Sequence, residues 1–119
     1  MSRFPEVQNV QIEGWSVTLL LMADPSLDYF PGHFPGFPIL PGVVQVDWAI
    51  RFARKHLGIP CTAFAALRAL KFSAPVLPGT ALTLQIAWVP EKQKLDFSYR
   101  DTQRIVSSGQ IVFAAEAVA

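Results

Sequence analysis

The sequence of 119 residues contains a single cysteine, Cys61, and only two histidines, His33 and His56. One thiol excludes an internal disulfide and any multi-cysteine metal site. A lone cysteine is ordinarily a small apolar packer, so Cys61 is assigned no chemistry. Neither histidine has a second His or Cys at ligand spacing, and no metal site is expected. Charge is also scarce. Ten Lys and Arg against nine Asp and Glu leave a formal +1, and the basic residues are scattered rather than set among aromatics, which excludes the electrostatic footprint of a nucleic-acid binder. No apolar run reaches the roughly 18 residues that a spanning helix needs, and the N-terminus lacks a basic segment followed by an apolar stretch and a cleavage site. No membrane association and a cytoplasmic location are therefore expected. The glycines between 32 and 42 are separated by prolines and do not follow a strand in G-x-G-x-x-G spacing, so no phosphate loop is present and no cofactor is implied.

What the chain does have is apolar mass: 51% of its residues are hydrophobic, enough for one domain over residues 1–119 with a real core. At this length burying a long helix on every side is difficult, and oligomerisation is a natural remedy. Residues 1–15 read as irregular. Ser16 to Met22 is a short β-favouring run, taken as the first strand and ended by Asp24-Pro25-Ser26. A long proline-rich segment through Pro41 follows, and its aromatics Tyr29, Phe30, Phe34 and Phe37 argue for a functional loop rather than disorder.

From Gly42 to about Leu57 the pattern predicts a helix, with Gly58 as its stop. It is apolar around most of its circumference, through Val43, Val46, Trp48, Ala49, Ile50, Phe52, Ala53 and Leu57, which calls for a sheet wrapped around it. Trp48 and Trp88 read as core. Asp47, Arg51 and Arg54 share one face, and Asp47 four residues before Arg51 is also the ordinary spacing of a surface ion pair. His56, near the helix C-terminus, is explained by the favourable dipole there rather than by catalysis.

The remainder alternates like strands. Ala65–Phe72 leads to the Pro78-Gly79 turn. Leu82, Leu84, Ile86 and Trp88 alternate with smaller or polar residues, Pro90-Glu91-Lys92 turns the chain, and Leu95, Phe97 and Tyr99 alternate again. Arg104 to Ala115 forms a last long strand with a possible bulge at Gly109. The expectation is an α+β fold, an antiparallel sheet wrapped around one central helix.

Chemistry concentrates in Pro31-Gly32-His33-Phe34-Pro35-Gly36-Phe37-Pro38-Ile39-Leu40-Pro41-Gly42 and in Asp47 beyond it. Four prolines stiffen the backbone around a group able to exchange protons near neutrality, and a carboxylate follows on the helix. His-Phe-Pro-Gly-x-Pro-Ile-x-Pro-Gly-Val, with an acid fourteen positions after the His, resembles the active-site signature of the β-hydroxyacyl-acyl carrier protein dehydratases, a family with the hot-dog fold. The resemblance extends to Asp28-Tyr29-Phe30 and to Leu70-Lys71-Phe72-Ser73-Ala74-Pro75-Val76-Leu77-Pro78-Gly79-Thr80, and so covers most of the chain. A further likeness, to dehydratases of bacterial aryl-polyene pathways, rests on Val44-Gln45-Val46-Asp47-Trp48-Ala49. An Asp at the helical position resembles the branch that also isomerises, while the wording around His33 is nearer the branch that only dehydrates.

The resemblance implies elimination of water from a 3-hydroxyacyl thioester, which needs a base, an acid and a dipole on the thioester carbonyl. His33 is the candidate base. Asp47 is the candidate acid, its protonation favoured by burial among Val43, Val46 and Ile50. Gly42, at the helix start, is placed to offer backbone N–H groups without side-chain obstruction, and Phe34, Val43 and Arg51 are candidate substrate contacts. Family members resembling this chain commonly carry Gln where Arg51 stands. An Arg touching Asp47 would oppose its action as a proton donor. The peptide after the motif His is held cis in related enzymes, so a cis His33-Phe34 bond is expected. The resemblance further implies a homodimer whose sites straddle the interface and an acidic acyl carrier protein as partner, with Arg54, Lys55, Arg68, Lys71, Arg100 and Arg104 available to meet it. Two other readings stay open: a hot-dog acyl thioesterase, and a non-catalytic dehydratase-like subunit of a heteromeric complex.

Overall fold

The computed structural model describes residues 4–24, 40–59 and 64–114. In chain order these form β1 (Glu6–Glu13), β2 (Ser16–Met22), α1 (Gly42–Leu57), β3 (Phe64–Phe72), β4 (Ala81–Val89), a 3₁₀ turn (Pro90–Lys92), β5 (Lys94–Arg100) and β6 (Ile105–Phe113). The strands make one antiparallel sheet in the order β1-β2-β4-β5-β6-β3. The helix lies across β2 and β4. This is the α+β arrangement expected, with Gly58 in the left-handed conformation at the helix C-terminus (φ 61°), where glycine carries no Cβ penalty.

The inward residues of the sheet are those that the alternation marks. Val17, Leu19 and Leu21 of β2, Leu82, Leu84, Ile86 and Trp88 of β4, and Leu95, Phe97 and Tyr99 of β5 are all buried. They meet a single stripe of the helix, Val44, Gln45, Trp48, Ala49, Phe52 and Ala53. Both Trp48 and Trp88 are core, as expected.

Three expectations need correction. Residues 6–13 are not irregular but an edge strand; its residues are exposed apart from a half-buried Val10, so its apolar residues do not alternate, and the hairpin to β2 is closed by Gly14 at φ 57°. The β6 bulge is not at Gly109. Pairing of β5 with β6 is regular through Phe97 opposite Gly109 and shifts only between Tyr99 and Arg100, where β6 carries Val106 as the extra residue; opposite Gly109 the extra residue lies on β3 between Arg68 and Lys71, where Ala69 takes φ 52°. A Cβ on Gly109 would lie 2.6 Å from Leu70 Cδ2 and 2.9 Å from Phe97 Cε2, so the glycine makes room for the bulge opposite it. Finally, the helix is not wrapped all round: Val43 is 77% exposed and Val46 and Ile50 are only partly buried.

Candidate functional site

The helix N-terminus is built by the chain on either side of it. Pro41 is its cap residue, extended at φ −61° and ψ 146°, with no side-chain cap. Its carbonyl accepts from the N–H of Val44 at 3.1 Å and of Gln45 at 3.2 Å, while the N–H groups of Gly42 and Val43 belong to the first turn, where a helix supplies no acceptor of its own. Leu40, buried just before the cap, donates its N–H to the Val76 carbonyl at 2.9 Å.

Gly42 stands where expected, but its missing side chain serves a different purpose. An added Cβ would lie 2.7 Å from Cζ of Phe72; the ring, from the end of β3, occupies that space and is itself 48% exposed. Phe72 therefore forms a wall of the helix start. Its place in the Leu70-to-Thr80 motif was visible in the sequence, but the contact with Gly42 joins distant parts of the chain and leaves no local signal.

Asp47 is not buried among Val43, Val46 and Ile50. Its side chain is 47% exposed, and Oδ2 accepts from Nε of Arg51 at 2.9 Å. The physical reason is the helix register: burying the stripe of Val44, Trp48 and Phe52 turns positions 43, 47 and 51 outward. The Arg51 guanidinium in turn lies over the Phe4 ring, 5.6 Å from its centroid, within cation–π range. Beside it an open groove of about 680 Å³ is lined by Phe4, Pro5, Val7, Arg51, Phe52, Arg54 and Lys55. Of the cations named for a carrier protein, Arg54 and Lys55 thus join Arg51 in one place. Arg68, Lys71, Arg100 and Arg104 lie elsewhere, on β3, on β5 and in the turn before β6.

His33 and Phe34, with the His33-Phe34 peptide bond and Cys61, lie outside the described residues. His56 is described and stands in the last turn of the helix, beside Arg54 and Lys55. Burial first, and then the neighbouring Lys55 charge, hold the imidazole pKa below its ordinary 6.5. Its ring stacks on Phe52 at 6.2 Å, and Nε2 is buried with no hydrogen-bond partner among the described residues. No group of three potential metal ligands occurs among the described residues, and no helix there is long and apolar enough to cross a membrane.

Sequence reasoning overlooked Gln45. It is buried, 3% exposed, and its backbone carbonyl accepts from the Tyr99 hydroxyl at 2.6 Å. Its side-chain Oε1 accepts from Ser107 Oγ at 2.6 Å, and Nε2 donates to the Leu40 carbonyl at 3.2 Å. Tyr99 and Ser107 are direct cross-strand partners. Burial, and secondarily the charge of Asp47, push the Tyr99 phenol well above its ordinary pKa of 10, so it acts as a neutral donor.

Comparison with known proteins agrees with this architecture. The family model of the ApeI-like proteins, described as ApeI dehydratase, matches residues 9–110. A chain of the dehydratase heterocomplex ApeI:P from Xenorhabdus doucetiae superposes with a TM-score of 0.85 at 37% identity, covering 93% of this chain and 98% of that one. An uncharacterised protein from Erwinia carotovora subsp. atroseptica superposes with a TM-score of 0.79 at 36% identity, covering 96% and 97%. Among curated relatives, the 3-hydroxyacyl-[acyl-carrier-protein] dehydratase FabZ of Desulfotalea psychrophila is 32% identical over 92 residues, 67% of this chain and 61% of the relative. The FabZ of Erythrobacter litoralis is 36% identical over 77 residues, 57% of this chain and 50% of the relative. The chain thus spans about half to three fifths of the length of these two relatives.

Proposed function

Because this chain belongs to the ApeI-like dehydratase family, we propose that it eliminates water from 3-hydroxyacyl thioesters on acyl carrier protein, leaving trans-2-enoyl thioesters. The observation that carries this reading is the family match across residues 9–110, which spans both the His33 motif and the helix bearing Asp47. In the reaction His33 removes a proton from C2 and the electron pair forms the C2–C3 double bond. The C3 hydroxyl leaves with a proton from Asp47 as water. An N–H at Gly42 faces the thioester carbonyl as negative charge builds there.

The half-exposed position of Asp47 fits a site that one chain does not close. Val43, 77% exposed, and Phe72, 48% exposed, flank the helix start, and β3 is the last strand of the sheet. A second chain laid against this face would dehydrate the carboxylate and cover both apolar side chains. We take that chain to be a second copy. The likeness to a chain of a heterocomplex favours a related, dehydratase-like partner as the other arrangement. Phe34, Val43 and Arg51 are the substrate contacts, and the groove of Arg51, Arg54 and Lys55 is the surface offered to an acidic carrier. Acyl chains of the fatty-acid type and aryl-bearing chains of the aryl-polyene type are the substrate classes to compare.

The test is direct. Purified protein is mixed with a panel of 3-hydroxyacyl thioesters, and enoyl absorbance and thiol release are followed together. Enoyl formation without thiol supports dehydration; thiol release alone would instead indicate a thioesterase, and neither product would indicate a non-catalytic subunit.

A further inference from the structure

A glutamine is an expensive occupant of an apolar core, since each buried polar atom must recover the hydrogen bonds that it gave up in water. Among the described residues Gln45 and Ser107 are the buried polar side chains, against a core otherwise made of aliphatic and aromatic groups, and the two are bonded to each other at 2.6 Å. A leucine or methionine would fill this space with no such requirement. What the glutamine adds is connection. Its Nε2 reaches back to the Leu40 carbonyl at 3.2 Å, across the cap residue Pro41, and Leu40 is fixed on its other side by the Val76 carbonyl at 2.9 Å. Its Oε1 and its backbone carbonyl are each held at 2.6 Å by the cross-strand pair Ser107 and Tyr99.

The helix has no side-chain cap at Pro41 and no acidic residue in its first turn. The usual devices that fix where a helix begins are therefore missing, and Gln45 ties the start of the helix to β5, to β6 and to the entering chain. Gly42, whose N–H is assigned to the thioester carbonyl, lies between the two ends of that tie, and Asp47 lies two residues beyond it.

We propose that Gln45 is a positioning residue: through Leu40, Tyr99 and Ser107 it fixes the helix N-terminus in place, and with it the Gly42 N–H and the Asp47 carboxylate. This rests on the dehydratase reading for its consequence in turnover, but not for its structural content. A displacement of about 1 Å at reacting groups costs on the order of 10²-fold in rate, so a loosened tie is read in kcat rather than in substrate affinity.

The experiment uses the full chain with Gln45→Met and Ser107→Ala combined, which removes the amide while keeping apolar volume and leaves no hydroxyl without its acceptor. Melting temperature, amide hydrogen exchange of Leu40 to Val46 with β4 as internal reference, and kcat and KM on a soluble 3-hydroxyacyl thioester are measured. Expected are a retained cooperative melt, exchange at Leu40 to Val46 faster relative to β4, and kcat lowered by roughly 10- to 100-fold with KM nearly unchanged. Unchanged exchange overturns the proposal, as does faster exchange with unchanged kcat. If the double variant fails to fold, Ser107→Ala alone removes one anchor with little loss of volume, and the same readouts decide in the same direction. If the unaltered protein gives no turnover, the dehydratase reading falls by itself, and exchange alone decides whether Gln45 fixes the helix start.

Discussion

Arg51 Nε and Asp47 Oδ2 meet at 2.9 Å on the outward face of the helix, with the two side chains 58% and 47% exposed. The arginine donates to one of the two carboxylate oxygens, while its guanidinium rests over Phe4. Exposed pairs of this kind contribute about 0.2–1 kcal/mol, so the contact matters little for stability. Arg51→Gln is expected to change the urea midpoint only slightly and to keep or raise dehydration, because it frees the Asp47 oxygen. A large loss of kcat with stability unchanged would make Arg51 a necessary substrate contact instead.

Assembly is expected from the same face. Val43 and Phe72 are exposed beside a half-exposed Asp47, and light scattering of the purified chain is expected to give twice the chain mass. A stable monomer that turns over fully at low concentration would contradict a site shared between chains, and a monomer that becomes active only with a second, related polypeptide would point to the heteromeric arrangement.

Gly109→Ala tests the bulge. The added Cβ would lie 2.6 Å from Leu70 Cδ2 and 2.9 Å from the buried Phe97 ring, and crowding of this sort typically costs about 1–3 kcal/mol. Urea denaturation is expected to show a loss in that range, and Leu70→Ala in the same background to recover part of it. An unaltered midpoint for Gly109→Ala would mean that β3 moves aside freely.

His56 sets a pH dependence with a definite sign. Its folded-state pKa is lowered by burial and by Lys55, so the unfolded chain binds a proton first, near the ordinary value of about 6.5. Its contribution to stability is full above that pH and is lost as pH falls through it towards the folded-state value. Between pH 7.5 and 5.5 the melting temperature of the unaltered protein is expected to fall more than that of His56→Phe. Equal slopes would show that the imidazole is solvated in the folded chain.

Much of the fold was legible because its signals are local. Pro41 and Gly58 bracket the helix at Gly42–Leu57, and the alternation of Leu82, Leu84, Ile86 and Trp88 marks the inward face of β4. β1 was missed because an edge strand exposed on both sides need not alternate. The Gly14-Trp15 pair between two β-favouring stretches was the available signal, since short hairpins require a positive φ that glycine supplies. The site was legible in residue types but not in environment. Whether Asp47 is desolvated depends on helix register and on what covers the helix, and whether Gln45 is a surface amide or a buried tie depends on Tyr99 and Ser107, more than fifty residues away. Long-range pairings of that kind have no periodic signature.

Dehydration by His33 and Asp47 is measured as the formation of enoyl thioester from a 3-hydroxyacyl thioester by the unaltered protein, His33→Ala and Asp47→Asn at matched melting temperature. The unaltered protein is expected to turn over, and each variant to lose roughly 10²- to 10⁴-fold, the range for a positioned general acid or base. The double variant is expected to lose far less than the product of the two single losses, because both groups act on one transition state. Full turnover by His33→Ala with an unchanged melting temperature would contradict dehydration by this motif.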